Sequence, residues 1–265
     1  MRKEIAVGNK LRKFYLGLML LFLYLPIFVL IVFSFNDTKL RGVWAGFTTH
    51  WYVDLFSDPV ILKSLYITFL VATISTVAST VIGTISAIGI RAYRKKTQHF
   101  ILNINYLPVL NPDIVTAVAL MSLYGFFSIE QGLLTMTLSH IVFCLPYVII
   151  SVLPKLDQLD NNIMEAAFDL GAKPYEVLYY VIIPQIKPGI VTGALLAFTL
   201  SIDDFIISFF TTGQGVSNLS ITLYSMAKTG INPSMNAIST ILFVVVMALL
   251  VVLNRRDVDI ADLEV

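Results

Sequence analysis

The sequence predicts an all-α membrane protein with six transmembrane helices and with both termini in the cytoplasm. Three observations support this fold class: an apolar composition, six apolar stretches of spanning length, and a concentration of Lys and Arg on one side. Of the 265 residues, 57% are hydrophobic and 13% are charged, and the mean hydropathy is +0.82. A soluble domain carries roughly 25% charged residues, so the apolar excess must face lipid.

Six stretches meet the length requirement for a transmembrane helix, which is roughly 20 mostly apolar residues. They cover about 14–35, 64–90, 100–127, 133–153, 189–210 and 236–253. The first follows a basic segment and so resembles a signal peptide. It contains Pro26 and lacks a small-residue cleavage site, so we expect a retained helix. The result is a single transmembrane domain over 14–253, with cytoplasmic segments at 1–13 and 254–265.

The distribution of Lys and Arg sets the predicted orientation. With a cytoplasmic N-terminus, most of the 18 basic residues fall in short inside segments. The outside segments then hold only Lys39, Arg41, Lys63 and Lys228. Because short cytoplasmic loops of membrane proteins are enriched in Lys and Arg, we expect both termini inside.

The second stretch carries small residues at every fourth position, namely Ser75, Ser79, Gly83 and Ala87. Small residues at this spacing let helix backbones approach closely in lipid. We therefore expect the second helix to lie in the centre of the helix bundle.

Asp113 lies near the middle of the third stretch, flanked by Pro108 and Pro112. A carboxylate at mid-bilayer costs on the order of 2.5–3.5 kcal/mol, and each proline removes a helix hydrogen bond. We expect a bent or broken helix here. A broken helix with a buried carboxylate is typical of a substrate pathway. The alternative is that Asp113 binds the freed backbone and stabilises the kink.

The longest inside segment, the loop 155–188, has the pattern of two short helices. Apolar residues on one helical face are Leu159, Ile163, Ala166, Ala167 and Leu170. Asp160 or Asn161 can cap this helix, and Gly171 suits a left-handed stop at its end. Pro174 fits the first turn of a second helix, which we expect Pro184 and Pro188 to break before the fifth span. The segment either lies in the lipid headgroups or docks into a protein partner.

Asp203 and Asp204 lie about two-thirds of the way along the fifth stretch, which we expect to be one helix. Neighbours on a helix point about 100° apart, so one of them can line a pathway while the other bonds to a neighbouring helix or reaches the outer membrane interface. No Lys or Arg lies within the central spans to neutralise these acids or Asp113. Three unpaired acids call for a cationic cargo, and candidate rings for cation–π contact with it are Phe205, Phe209 and Tyr147.

The sequence also excludes several functional classes. The single Cys144 rules out an intrachain disulfide, and the three scattered histidines offer no metal cluster. We expect one of them, His140, to be hydrogen-bonded inside the bundle rather than to relay protons. A net charge of +1 gives no attraction to nucleic acid. No catalytic or nucleotide-binding motif is present, so any energy source must come from a partner.

Glu165-Ala166-Ala167, followed by Gly171 and by Val181-Ile182-Ile183-Pro184, resembles the EAA loop of ABC importer permeases. That family has Ile and Leu where this chain has Val181 and Ile183. Further segments that look like the same family, and most like its spermidine/putrescine permeases, are Ser34–Asn36, Asn111–Val115, Ser139–Pro146, Ser201–Asp204 and Leu223–Met226.

The resemblance implies a MetI-like permease of a bacterial inner membrane. In that family the EAA loop forms a coupling helix in a cleft of the cytoplasmic ATPase, which assigns this role to Glu165, Ala166, Ala167 and Gly171. It further implies a cytoplasmic ATPase dimer that binds ATP and Mg, a second homologous permease subunit and an external substrate-binding protein. The chain itself would be non-catalytic and would bind no cofactor.

Three functions from different classes remain open. The first is the permease subunit of an ATP-driven polyamine importer, or of an importer of the same family for another solute. The second is a secondary transporter driven by an ion gradient, for which an inverted repeat is expected and none is evident. The third is a membrane scaffold or channel subunit, which leaves the intramembrane acids unexplained. The first accounts for both the acids and the EAA loop, and we favour it.

Overall fold

The computed structural model describes residues 2–38, 42–229 and 233–261, and this part of the chain is helical apart from its connections and one isolated β-bridge, Asn36 to Phe47. The helices are α1 (Arg2–Phe33), α2 (His50–Ser57), α3 (Pro59–Ala92), α4 (Lys95–Leu110), α5 (Asp113–Phe126), α6 (Leu133–Asp157), α7 (Asn161–Asp169), α8 (Pro174–Glu176), α9 (Ile183–Asp203), α10 (Ile206–Thr211), α11 (Leu219–Thr229) and α12 (Pro233–Ala261). A π-helical segment, Val177–Ile182, joins α8 to α9. Lys39, Arg41 and residues 262–265 of the predicted tail lie outside the described residues.

The chain forms two compact units. The first contains the residues up to Leu62 and those from Leu223 onward, and the second is Lys63–Thr222. In the first unit α12 contacts both α1 and α2, and Trp51 Nε1 donates a hydrogen bond to the Asn36 carbonyl at 2.8 Å. The stretch Arg12–Phe33 of α1 has no fully buried side chain, so the part of its surface that α12 does not contact is available to lipid or to another protein.

Four of the predicted spans correspond to single helices that are long and apolar enough to cross a membrane. These are Arg12–Phe33, Pro59–Ala92, Leu133–Asp157 and Pro174–Asp203. A fifth span is formed if the bent pair Lys95–Leu110 and Asp113–Phe126 crosses as one. In α12 the apolar part Pro233–Ala248 is shorter than these helices, and the sixth span therefore stays a prediction.

The predicted break in the third span is confirmed. α4 ends at Leu110, α5 begins at Asp113, and the two axes differ by 103°. Asn111 and Pro112 are both extended, with ψ angles of 148° and 137°. A residue before proline is biased away from the helical region, which explains why the chain leaves the helix at Asn111.

Two expectations for the fifth span are wrong. Pro184 and Pro188 do not separate it from the loop, because one continuous helix runs over Pro174–Asp203. A proline ring in an α-helix clashes with the carbonyl four residues earlier, and the wider π-helical segment directly before Pro184 relieves that clash. Gln185 Nε2 donates to the Val181 carbonyl at 3.0 Å within this region.

The second error concerns the other end of this span, which was expected to continue to residue 210. Instead α9 ends at Asp203, Asp204 is extended (φ −65°, ψ 125°), and the short α10 begins at Ile206. The two acids therefore lie at a helix break rather than on one helix.

The core of the second unit forms where α3 and α9 pack against α6. The α6 side chains of Cys144, Val148 and Val152 are fully buried. Contact is close because glycines face them: a Cβ atom on Gly193 would lie 3.1 Å from Val148 Cα, and one on Gly83 would lie 2.7 Å from Val148 Cγ1. The predicted close packing of the second helix is confirmed.

We expect Gly83→Ala to destabilise the permease by about 1–3 kcal/mol, the usual range for overpacking a core. The new methyl group would collide with the side chain of Val148, which is fully buried and has no space to move into. Thermal unfolding of the detergent-solubilised protein measures the effect.

The matched control is Gly89→Ala on the same helix, where a Cβ atom would meet nothing within 4 Å. Equal melting temperatures for the two variants would contradict the packing described for α3.

Candidate functional site

A cavity of about 510 Å³ opens in the second unit at the two helix breaks. It brings together the three acids predicted from the sequence, and its lining residues are Asp113, Phe143, Thr199, Leu200, Asp203, Asp204, Phe205 and Ile206. None of these lining residues is basic. The two breaks thus place three carboxyl groups, which are distant in sequence, around one volume that a small ligand can enter.

Asp204 is the acid whose carboxylate is already used by the protein. Its Oδ1 accepts a hydrogen bond from the backbone N–H of Ile207 at 3.1 Å. Its Oδ2 accepts from the backbone N–H of Ser208 at 2.8 Å and from the Ser208 hydroxyl at 3.0 Å. These are donors that the first turn of a helix leaves without backbone partners. Asp204 therefore holds the start of α10 in place.

Asp113 and Asp203 differ from Asp204 because both are exposed. In the described part of the chain, neither carboxylate forms an ion pair with Lys or Arg. The sequence left open which of the two neighbouring acids faces a cavity. Both line it, but the geometry leaves the oxygens of Asp203 available to a ligand and commits those of Asp204 to the backbone.

His140 is hydrogen-bonded inside the bundle, as predicted. Its Nδ1 lies 2.7 Å from Ser201 Oγ and its Nε2 lies 2.8 Å from Ser208 Oγ. The same Nε2 is 3.5 Å from Asp204 Oδ2. Only 1% of the residue is exposed, so the imidazole belongs to the interior behind the cavity rather than to its lining.

Aromatic side chains flank the acids, though they are not all the expected ones. Of the three predicted rings, only Phe205 lines the cavity. Phe209 packs against Phe205 at 5.3 Å between ring centroids, and Tyr147 packs at 5.7 Å against Phe143. Phe143 itself lines the cavity and was missed by the sequence reasoning. The available signal in the sequence was its position three residues after His140, which places the two side chains on the same face of α6.

The predicted coupling segment has the expected form at both ends. Asp160 is the N-cap of α7, and its side chain accepts from the Asn162 N–H at 2.9 Å. At the other end, Gly171 adopts φ +83°, the Ala172 N–H donates to the Ala167 carbonyl, and the Gly171 N–H donates to the Phe168 carbonyl. This pair of bonds is a Schellman motif, which favours glycine at the left-handed position.

The surface of this segment is largely uncovered by the chain itself. Glu165 and Ala166 are exposed and Ala167 is half-buried. Further exposed apolar and aromatic side chains lie on α7 and on the helical stretch that follows it, namely Ile163, Phe168, Leu170, Tyr175, Tyr179 and Tyr180. Leu170 alone is 89% exposed. At the start of the segment, Arg91 Nη2 of α3 donates to the Leu159 carbonyl at 3.3 Å. A group of exposed apolar side chains in a polar loop is typical of a docking site.

Comparison with known proteins places these features in a family context. A family model described as binding-protein-dependent transport system inner membrane component matches residues 79–256. The chain is 36% identical over 245 residues to the spermidine/putrescine transport system permease protein PotC of Escherichia coli K12, covering 92% of this chain and 93% of that protein. It is 36% identical over 228 residues to the putrescine transport system permease protein PotI of the same strain, covering 83% and 81%.

Solved structures share the fold. A bacterial ABC transporter involved in the import of the acidic polysaccharide alginate has a chain that matches with a TM-score of 0.72 at 16% identity, covering 97% of this chain and 96% of that one. A chain of the MetNI methionine ABC transporter, in inward-facing conformations, matches with a TM-score of 0.61 at 20% identity, covering 75% and 96%. The all-helical architecture is therefore that of a MetI-like ABC importer permease.

The different hydrogen-bonding of the two neighbouring acids leads to a stability prediction. We expect Asp204→Ala to lower the stability of the permease by about 1–2 kcal/mol, as loss of a helix cap does, because two backbone N–H groups and one hydroxyl lose their acceptor. Thermal unfolding in detergent measures the change.

Asp203→Ala is the matched control, and it should leave the melting temperature unchanged because the Asp203 carboxylate supports no described backbone group. If Asp203→Ala were the more destabilising substitution, the structural role assigned to Asp204 would be wrong.

Proposed function

Because the chain belongs to the family of binding-protein-dependent transport system inner membrane components, we propose that it carries protonated polyamines, spermidine or putrescine, into the cell as the permease subunit of an ATP-driven importer. The observation that carries the cargo assignment is the cavity in which two available carboxylates, Asp113 and Asp203, meet two phenyl rings and no basic side chain.

The fold by itself does not select the cargo. The structure with a TM-score of 0.72 comes from a transporter involved in the import of an acidic polysaccharide, and an anion would be repelled by the acids of this cavity. The relatives at 36% identity are named for spermidine and putrescine. Their names and the local charge agree, which supports a polyamine over other solutes handled by this family.

The chemistry of the cavity suits an organic dication. Carboxylate oxygens accept charge-assisted hydrogen bonds from ammonium groups, and Asp113 and Asp203 provide two such acceptors. Phe143 and Phe205 add two phenyl rings to the lining, and aromatic rings favour contact with an ammonium group and with the methylene chain beside it. A monovalent metal ion would use the carboxylates but has no methylene chain to pack against the phenyl rings.

Transport by this chain depends on partners. We assign ATP and Mg binding to a cytoplasmic ATPase dimer, delivery of cargo to an external substrate-binding protein, and the other half of the pathway to a second homologous permease. The exposed surface around Glu165, Ala166 and Ala167 is the proposed contact with the ATPase. Its apolar side chains fit a hydrophobic groove, and its carboxylates would be repelled by anionic lipid.

The continuous helix Pro174–Asp203 connects the two functional regions. It begins directly after the coupling segment, ends at Asp203, and its 30 residues span about 45 Å at 1.5 Å per residue. If the ATPase displaces α7 as a rigid body, this single helix would transmit the displacement to Asp203. Such a motion would change the access of the cavity from one side of the membrane to the other.

This mechanism requires six spans with both termini in the cytoplasm, an orientation that the Lys and Arg distribution supports. A C-terminal alkaline phosphatase fusion, which is active only outside the cytoplasm, should be inactive. The same enzyme inserted between α1 and α2 should be active, and the reverse pattern would overturn the orientation.

The cargo assignment predicts the effect of removing each available carboxylate. We expect Asp113→Asn and Asp203→Asn each to raise the polyamine concentration for half-maximal uptake by about tenfold or more, since a hydrogen bond to a charged group contributes about 1.5–3 kcal/mol. Radiolabelled putrescine and spermidine uptake into cells lacking the native protein measures this.

The control for charge alone is Glu130→Gln, because Glu130 is exposed between α5 and α6 and does not line the cavity. Uptake of another solute, with no response to either polyamine, would reject the cargo while leaving the permease assignment intact.

The proposed ATPase contact gives a separate prediction. Glu165→Lys should uncouple ATP hydrolysis from uptake by reversing the charge in the middle of the exposed α7 surface, while the complex still inserts into the membrane. Asp157→Lys makes the same charge change at an exposed site on α6, outside the α7 surface. Cargo-stimulated ATPase activity in reconstituted vesicles should be lost only in the first variant, and unchanged stimulation would contradict the assignment.

A further inference from the structure

His140 is a buried polar residue that the proposed transport mechanism does not yet use. It lies on α6 behind the cavity, and its two ring nitrogens contact different helices. Nδ1 meets Ser201, in the last turn of α9, at 2.7 Å. Nε2 meets Ser208, in the first turn of α10, at 2.8 Å. One imidazole therefore bridges the two sides of the break that contains Asp203 and Asp204.

Hydrogen-bond counting fixes the direction of the Nε2 contact. The Ser208 hydroxyl has one proton and two lone pairs, and the carboxylate of Asp204, 3.0 Å away, is the stronger acceptor for that proton. Asn218 Nδ2 donates to Ser208 Oγ at 2.7 Å. The remaining lone pair of Ser208 then accepts from His140, so Nε2 carries a proton that points towards Ser208 and Asp204.

The bridge belongs to a wider network that surrounds the break. Ser201 Oγ lies 3.1 Å from Ser75 Oγ of α3, and Asn218 Nδ2 also reaches the Asp204 carbonyl at 3.3 Å. Within this network the His140 side chain reaches both α9 and α10, while Asn218 joins Asp204 to Ser208 on the α10 side. The backbone at Asp203 is therefore held from both directions.

We propose that His140 is the positioning residue of the cargo site: by tying α9 to α10 across the break, it sets where the available carboxylate of Asp203 stands relative to Asp113. The proposal rests on the proposed function, because it gives the geometry of the break a role in cargo binding. His140 itself does not touch the cargo, since it is buried behind the cavity wall.

Two amide substitutions test whether His140 must contact both helices or whether any single buried polar group at this position is sufficient. In Asn the terminal polar atoms stand where Nδ1 does, so His140→Asn can reach only Ser201. In Gln they stand where Nε2 does, so His140→Gln can reach only Ser208. His140→Phe fills the space and reaches neither. A bridge should fail in all three variants, whereas a site that needs only one buried polar group should tolerate an amide.

The matched control is Ser139→Ala on the same helix. Ser139 is fully buried and bonds the Thr135 carbonyl at 2.7 Å and the Tyr124 hydroxyl at 2.8 Å, but it does not contact the break. It tests whether any lost hydrogen bond inside α6 produces the same effects. Ser201→Ala, a small change on α9, serves as a bridge variant should the His140 variants assemble poorly.

The experiment has two readouts on the assembled importer complex. Hydrogen–deuterium exchange of the backbone amides over 204–211 measures the local stability of the break in the absence of cargo. Putrescine uptake gives the half-saturating concentration and the maximal rate per assembled complex. We expect the bridge variants to exchange faster and to raise the half-saturating concentration, each by about tenfold, with the maximal rate per complex within about twofold. Ser139→Ala should match the native protein in both.

Several results would overturn the proposal. These are native behaviour of His140→Asn and His140→Gln, equal effects of Ser139→Ala, or faster exchange with an unchanged half-saturating concentration. A loss only of maximal rate, in proportion to the amount of complex, would also overturn it by indicating a purely structural role. Failure of the native complex to take up any polyamine would instead reject the cargo, and the exchange data would still decide whether His140 bridges the break.

Discussion

The need to satisfy backbone polar groups at helix breaks governs the arrangement of this permease. Within a membrane an unpaired N–H or C=O group is expensive, and irregular backbone is tolerated only where protein groups or a cavity satisfy it. At the end of the fifth span Asp204 meets this need for the first turn of α10, with oxygens at 2.8 and 3.1 Å from two backbone N–H groups. The break is stable because a carboxylate occupies it, and the cavity exists because the break is there.

This constraint divides the three acids into two kinds. Asp204 serves the backbone, and its contacts with Ser208 and its proximity to His140 belong to the interior of the protein. Asp113 and Asp203 are exposed at the ends of their own helices, at the start of α5 and the end of α9. Asp203, whose carboxylate is available, and Asp204, whose carboxylate bonds the backbone, are thus adjacent in sequence and different in chemistry. The sequence predicted such a division, but residue type alone does not reveal which acid has which role.

The sequence predicted those features that depend on local backbone chemistry. Pro112 and the acid after it marked the break in the third span, and Gly171 marked the left-handed end of α7, because proline and glycine act through their own dihedral angles. The break at Asp204 has neither residue, so it was taken for continuous helix; its signal is a capping carboxylate placed before Ile207 and Ser208. Pro184 led to the opposite error, a predicted break where the helix is continuous, because the adjacent π-helical segment accommodates the proline ring. Phe143 was missed because its role depends on tertiary packing, which brings α6 to the break.

Two available carboxylates match the two charges of a diamine but do not by themselves identify the cargo. A diamine can pair with both Asp113 and Asp203, and the oxygens of Asp204 are already bonded to the backbone and to Ser208, so a third ammonium group gains no equivalent partner among the residues that line this cavity. Discrimination between putrescine and spermidine must then come from length and from surfaces beyond these acids, first of all the external protein that delivers the cargo. Under the proposed cargo assignment the two acids would repel anions and favour a second positive charge. The helix that continues unbroken from the coupling segment to Asp203 would then make that charge contact sensitive to the ATPase.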